Sequence, residues 1–191
     1  AGDAAIGVET TRSIARRHGA VAAINGGYYV TRGVTRGDSA GYLRIDGELL
    51  SETDRRRASV GLFDLSGKTE ALFGRLAVAS SVRLADGVEL SVEGINRARG
   101  DREAIVYTPE FHRTTLTDPS GTEVVVALDF VVDVRAGQGS SRIPQQGWVL
   151  SLGPGRAARE GALFRVGGRL APFSLEAIRD RLERVLREIE R

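Results

Sequence analysis

Asp46-Gly47 sits between two short strand-like runs, Tyr42 to Ile45 and Glu48 to Leu50, and it restricts the possible folds more than any other stretch of the chain. A two-residue turn of this kind needs positive φ at both positions. Asp tolerates that conformation, Gly adopts it freely, and the flanking runs are then forced to pair antiparallel. The arrangement returns in Ala58 to Phe73, around Ser66-Gly67. It returns again in the Val-rich stretch from Thr122 to Val134, which reads as two strands with a turn near Leu128-Asp129. "VELSVEGIN", "AIVYT" and "WVLSL" supply further strands. Short strands closed by tight turns predict an α+β fold on a mainly antiparallel, twisted sheet. No internal repeat is visible.

Helical periodicity marks only the two ends. Thr11 to His18 predicts a short helix, with Ile14 and Ala15 turned inward and Gly19 as its C-terminal stop. "AVAAI", Ala20 to Ile24, then reads as a short buried strand. Near the other end, Ser174 is placed to cap a helix after Pro172, and Glu176 falls in the first turn, where the helix dipole favours an anion. Leu175, Ile178, Leu182, Val185, Leu186 and Ile189 recur at helical spacing. The expectation is an amphipathic helix over about 174–190 that buries Ile178, Leu182, Val185 and Ile189, either against the sheet or across a homodimer. At 191 residues the chain reads as one domain, long enough to bury a substantial core.

Composition removes several chemistries. With no Cys there is no disulfide, no thiolate-bound zinc and no cysteine nucleophile. His18 and His112 are the only histidines, too few for a His-rich metal site, so neither metal nor cofactor is expected. The net charge is +2 and the pI about 9.4, an excess carried by Arg because Lys68 is the only lysine. Arg suits bidentate contact with phosphate or carboxylate, although Arg usage also follows genomic base composition. Acidic residues are interleaved throughout, aromatics are few and no basic stripe forms, so nucleic acid is not the expected partner. No run approaches the length of a membrane span, and no signal peptide is recognisable. The chain contains no Met, so its first residue reads as the product of processing or engineering.

Three stretches could carry chemistry. In the first, the apolar run to Ile24 ends in Asn25-Gly26-Gly27-Tyr28-Tyr29, followed closely by Asp38-Ser39. Glycines there would let backbone N–H groups face a ligand, Asn25 could bond a hydroxyl, and Tyr28 or Tyr29 could stack on a sugar. A simple turn would need the same residues. In the second, Asn96, Arg97 and Arg99 end one strand just before another. Extended backbone would aim both guanidiniums to one side, suiting an anionic group, while Gly100 to Glu103 reads as a solvated charged loop. In the third, Tyr107, Thr108, Glu110, His112, Thr114 and Thr115 gather polar groups after a strand, though His112 also reads as a plain surface residue.

Six pieces in order, "AAINGGYY", "GYLRIDGELLS", "RASVGL", "GINRARGDREAIVYTPEFHRTT", "GTEVVV" and "IPQQGWVLS", resemble the phosphodiester glycosidase domain family, whose animal member is the lysosomal mannose 6-phosphate uncovering enzyme. The resemblance covers about residues 5–152. It implies an α+β fold, a secreted or periplasmic location, and hydrolysis of sugar-1-phosphodiesters that leaves the phosphate on its other alcohol. By that resemblance Asn25, Gly26 and Gly27 line a surface cavity, with Tyr28 and Tyr29 forming its wall and floor. Asp38 and Glu110 are the carboxylates nearest the matched pieces and the expected acid–base pair, since glycosidic cleavage commonly uses two. Arg97 and Arg99 would hold the phosphate, with Asn96, Tyr107 and His112 as further substrate contacts; Glu123, at a strand start, reads as structural. The family's later Arg-Thr-Ala-x-Gly strand and Asn-Leu-Asp-Gly-Gly-Gly-Ser loop have no counterpart here. The chain is therefore expected to be a fragment, an insertion-type subdomain or a shortened relative, weak or inactive in catalysis. A non-catalytic module binding carbohydrate or cell-wall glycan would use the same glycines, tyrosines and arginines.

Overall fold

A computed structural model describes residues 6–52, 57–65, 67–75 and 80–170. The helix expected over 174–190, with Ile178, Leu182, Val185 and Ile189, lies outside the described residues. Within them the chain is rich in strands and poor in helix, and nearly all pairing is antiparallel, in keeping with an α+β class.

The centre is a five-stranded sheet. β7 (Gly94–Ile95), β8 (Ala104–Tyr107), β9 (Thr122–Ala127), β10 (Phe130–Ala136) and β11 (Gly147–Leu152) lie in the order β10-β9-β11-β8-β7, parallel only between β7 and β8. Its three inner strands are almost wholly buried because both faces are covered, which is why "AIVY" and the "VVVA" of β9 read as unbroken apolar runs. Alternation then sorts their side chains. Val106, Val124, Val126, Leu150 and Leu152 point to one face, where they meet Val82, Leu90, Phe164 and Leu170. Ile105, Tyr107, Val125 and Val149 point to the other, against Phe111 and Ile143. The first face is roofed by the hairpin of β5 (Ser80–Arg83) and β6 (Glu89–Val92) and by the short helix α2 (Pro154–Glu160).

The turn chemistry holds in detail. β1 (Leu43–Ile45) and β2 (Glu48–Ser51) pair antiparallel across Asp46 at φ 51° and Gly47 at φ 85°. β3 (Ala58–Leu65) and β4 (Lys68–Arg75) pair across a turn that includes Gly67 at φ 80°. Leu128 and Asp129 carry φ values of 50° and 67° between β9 and β10, and Leu is an unusual residue for the left-handed region.

Two local expectations are corrected. α1 (Thr11–Arg17) forms, capped by the Thr10 side chain, which accepts from Ser13 N–H. It closes in a Schellman arrangement, with Gly19 N–H bonding Arg16 O and Ala20 N–H bonding Ala15 O. It buries no residue, however, and Ile14 is 41% exposed. Seven residues with one Ile and one Ala make too small an apolar stripe to dock, so the capping hydrogen bonds define this helix. The Ala20 to Ile24 run is not a strand: no described strand pairs with it, and Val21 and Ile24 are fully exposed. Its apolar character predicts burial, and no described element covers it.

Replacing Leu128-Asp129 by Asn-Gly puts residues suited to positive φ into that turn. The double variant is expected to gain about 1 kcal/mol in stability, read as a rise in the urea midpoint with an unchanged slope. A fall in the midpoint would mean that Leu128, mostly exposed, supports the fold in another way.

Candidate functional site

The loop ahead of β1 carries one half of the site. Tyr29 and Ser39 form an isolated antiparallel bridge, and the turn between them closes through Val30 N–H to Asp38 O and Gly37 N–H to Val30 O, both at 2.8 Å. Gly37 sits at φ 97°, and a Cβ there would meet the backbone of Gly7. The residue before Asp38 therefore has to be glycine. That turn delivers Asp38 to the interior, 2% exposed, where Ser51 at the end of β2 donates its hydroxyl to Asp38 Oδ1 at 2.8 Å. Burial pushes the Asp38 carboxyl up to about 6, outweighing the downward pull of the Ser51 hydroxyl, the Ser39 N–H and the Arg97 charge.

The segment after β7 carries the other half. Asn96 takes φ 53°, a left-handed conformation Asn tolerates. Its side-chain amide donates to Leu50 O at 3.0 Å and Thr108 Oγ1 at 2.8 Å, and its oxygen accepts from Thr108 N–H at 2.8 Å. Arg97 is buried. Its Nη1 and Nη2 donate to Glu103 at 2.8 and 3.0 Å, Nη2 also donates to Glu93 O at 2.7 Å, and Nε lies 4.0 Å from Glu52 Oε2. Arg99 donates to Ser151 Oγ at 2.9 Å and pairs with Asp118 Oδ1 at 3.2 Å. Both guanidiniums are thus engaged by the protein itself. Burial alone would raise the Glu103 pKa, but the Arg97 hydrogen bonds and charge and the Gly100 N–H reverse this, and it is lowered. Tyr107 donates its hydroxyl to Arg97 O at 2.7 Å, and burial pushes its phenol well up.

Between the two halves lies an open concavity of about 610 Å³. Tyr28, Tyr29, Asp38, Arg57, Arg97 and Glu103 line it, together with Arg99. The expected residues divide as follows. Asp38, both tyrosines and both arginines share this concavity. Asn25, Gly26 and Gly27 instead line a neighbouring hollow of about 790 Å³ beside α1, and only Tyr29 among the expected residues borders both. The two glycines have open space around them and no positive φ, while Asn25 Oδ1 accepts from Thr11 Oγ1 at 2.6 Å. Glu110 is not among the residues that line the Asp38 concavity. His112 Nδ1 accepts from Thr114 N–H at 3.3 Å, closing its own loop. Glu123 is buried, bonded to Thr117 Oγ1 at 2.7 Å and Ser141 N–H at 2.8 Å, as a structural residue would be. Among the described residues no group of three or more His, Asp or Glu side chains could hold a metal ion.

No protein-family model matches the chain, and no curated protein does. Solved structures share its fold, among them two with TM-scores above 0.7. One is a hypothetical protein from Synechocystis, 22% identical with a TM-score of 0.71, matched over 90% of this chain and 31% of that one. The other is a candidate exported protein from Burkholderia pseudomallei K96243, 26% identical with a TM-score of 0.72, matched over 90% of this chain and 40% of that one. The chain spans well under half the length of either. Among its described residues no helix is long and apolar enough to cross a membrane.

Arg57 and Glu103 join the concavity without having been read from the sequence as site residues. Glu103 is concealed by a stretch that looks like solvated loop, Gly100-Asp101-Arg102-Glu103. Its first three residues do not reveal that the fourth folds back on Arg97. The Arg57 guanidinium carbon lies 5.5 Å from the centre of the Tyr28 ring, and its buried Nε has no hydrogen-bond partner among the described residues.

Two outcomes follow for stability. Asp38 binds its proton more tightly in the folded chain than at its ordinary value of 3.8. Its favourable contribution is therefore complete below that value and lost as pH rises through about 6. Asp38→Asn removes this loss, so at pH 8 the variant should be more stable than the parent by about 3 kcal/mol, and near parity at pH 3.5. An equal difference at both pH values would contradict the assignment. Arg97→Ala strands Glu103 and Glu52 without their cation and should cost about 3–5 kcal/mol in urea unfolding.

Proposed function

We propose that this chain is a phosphodiester glycosidase-type domain that binds sugar-1-phosphodiesters and hydrolyses them. The observation that carries the reading is Asp38, a buried carboxyl with its pKa up at about 6, in the same open concavity as an ionised Glu103 and two exposed tyrosines. Two carboxyl groups whose surroundings push their pKa values apart are what acid–base chemistry at a glycosidic bond requires. Asp38 would protonate the leaving oxygen. Glu103, held ionised by Arg97, would support the positive charge that develops on the sugar, taking the place that the sequence assigns to Glu110. Tyr28 and Tyr29 offer faces for the sugar ring.

The family resemblance in the ordered motifs supports the same reading, and so does the fold shared with longer chains, one of them a candidate exported protein. On those two grounds the domain belongs outside the cytoplasm. A glycan-binding module without catalysis remains the second reading, favoured by the half-exposed or better Tyr28 and Tyr29 beside arginines already engaged within the protein.

The test is a side-by-side assay on a methyl-aglycone sugar-1-phosphodiester. Turnover should fall as pH rises through about 6, the value to which Asp38 is raised, because the acid form is lost. Asp38→Asn should lower the rate about 100-fold and Glu103→Gln about 10-fold or more, with Glu110→Ala near the parent. Binding with no turnover at any pH, unaffected by Asp38→Asn, establishes the module reading instead.

A further inference from the structure

Three arginines line the concavity, and among the described residues Arg57 alone of them has no hydrogen-bond or ion-pair partner. Arg97 is held by Glu103 and Glu93 O, and Arg99 by Ser151 and Asp118. Among the described residues no carboxylate lies within ion-pairing distance of Arg57, and its Nε is buried with no hydrogen-bond partner. A buried guanidinium N–H without an acceptor is unfavourable, and fixing the half-buried Arg57 over an aromatic ring makes sense where a ligand supplies acceptors to the rest of its fork. Tyr28 provides that fixing, its ring centre 5.5 Å from the Arg57 guanidinium carbon. We infer that Arg57, held in place by Tyr28, is the anion-binding group of this concavity and that the site takes one singly charged ester oxyanion, a phosphodiester or a sulfate monoester.

The charge limit follows from the other residues lining the site. The Arg97 charge is matched by Glu103, and that of Arg99 by Asp118. Asp38 adds no positive charge in either protonation state. Among the described residues one guanidinium therefore remains to meet the ligand, and a second negative charge would enter a concavity bordered by Asp38 and Glu103 with no further described cation to receive it. Guanidinium presents a planar fork to two oxygens of one group, which a diester or sulfate ester can fill. The inference deepens the sugar-phosphodiester reading by naming the group that recognises the anion, and its binding test is independent of turnover.

The experiment titrates the ¹⁵N-labelled chain with dimethyl phosphate, methyl sulfate and, at pH 8, the dianion of methyl phosphate, following the Arg57 Nε–H and the backbone amides of Tyr29 and Gly100. Dimethyl phosphate should shift these signals saturably, and Arg57→Ala should raise its Kd at least tenfold. Arg57→Lys should recover part of that loss, because the charge returns without the fork. Tyr28→Leu should weaken binding about threefold and Tyr28→Phe leave it unchanged. Arg44→Ala, on the exposed β1 hairpin, should match the parent. Methyl phosphate dianion should bind at least fivefold more weakly than dimethyl phosphate, and the ratio of dimethyl phosphate to methyl sulfate binding decides which ester the site prefers. No saturable binding by the parent, undiminished binding by Arg57→Ala, or equal binding of the dianion would each overturn the inference. Turnover with an unchanged KM in Arg57→Ala would overturn it while sparing the glycosidase reading; Arg57-dependent binding with no turnover would do the reverse.

Discussion

Arg97 is the residue on which the candidate site depends. Its guanidinium reaches back to Glu93 O at 2.7 Å and forward to both carboxylate oxygens of Glu103, and its carbonyl takes the Tyr107 hydroxyl at 2.7 Å. One residue thereby ties the approach to β7, the loop of residues 96–103 and the end of β8 into a single unit. A buried cation requires such partners, because desolvating it without them costs several kcal/mol. The same requirement removes Arg97 from ligand duty in its own right. Its role is to hold Glu103 ionised and to lend a positive field to Asp38.

What remains open in the concavity after those partners are satisfied is small and specific. Asp38 is enclosed deeply enough that the neutral form is favoured well above the usual carboxylate range, even with a serine hydroxyl and a nearby arginine working the other way. Arg57 keeps its charge with no carboxylate beside it among the described residues. A buried carboxyl and a cation with no carboxylate beside it among the described residues share one concavity with two tyrosine faces, which supports the proposed sugar-phosphodiester ligand. The rigid part of this arrangement is the sheet behind it, whose inner strands are buried on both sides.

Much of the sheet was legible in the sequence, because turn chemistry is local. Asp46-Gly47 reports its own left-handed pair of residues, and Gly19 its own helix stop, without any knowledge of distant chain. The Val-rich strands were equally plain, since burial on both faces leaves no polar alternation to confuse them. The site was legible only where a residue's role is local. Asp38 follows a glycine that must be glycine, and its placement near Tyr28 and Tyr29 could be read from proximity in sequence. The phosphate-holding role expected of Arg97 and Arg99 could not be judged that way. Whether a guanidinium is available depends on Glu103, Ser151 and Asp118, and two of those three lie 19 or more residues from Arg99. The apolar run at Ala20 to Ile24 misled for the opposite reason: it records a demand for burial without recording which element meets it.

Asp38 should carry a proton close to neutral pH, and its titration measures this directly. Following the ¹³C signal of the Asp38 side-chain carboxyl between pH 3 and pH 9, with Asp38→Asn to assign it, should give a midpoint near 6, where burial places it. A midpoint at about 4 or below, the range of an ordinary aspartate, would mean that Asp38 is ionised under working conditions and that the concavity has no acid to offer.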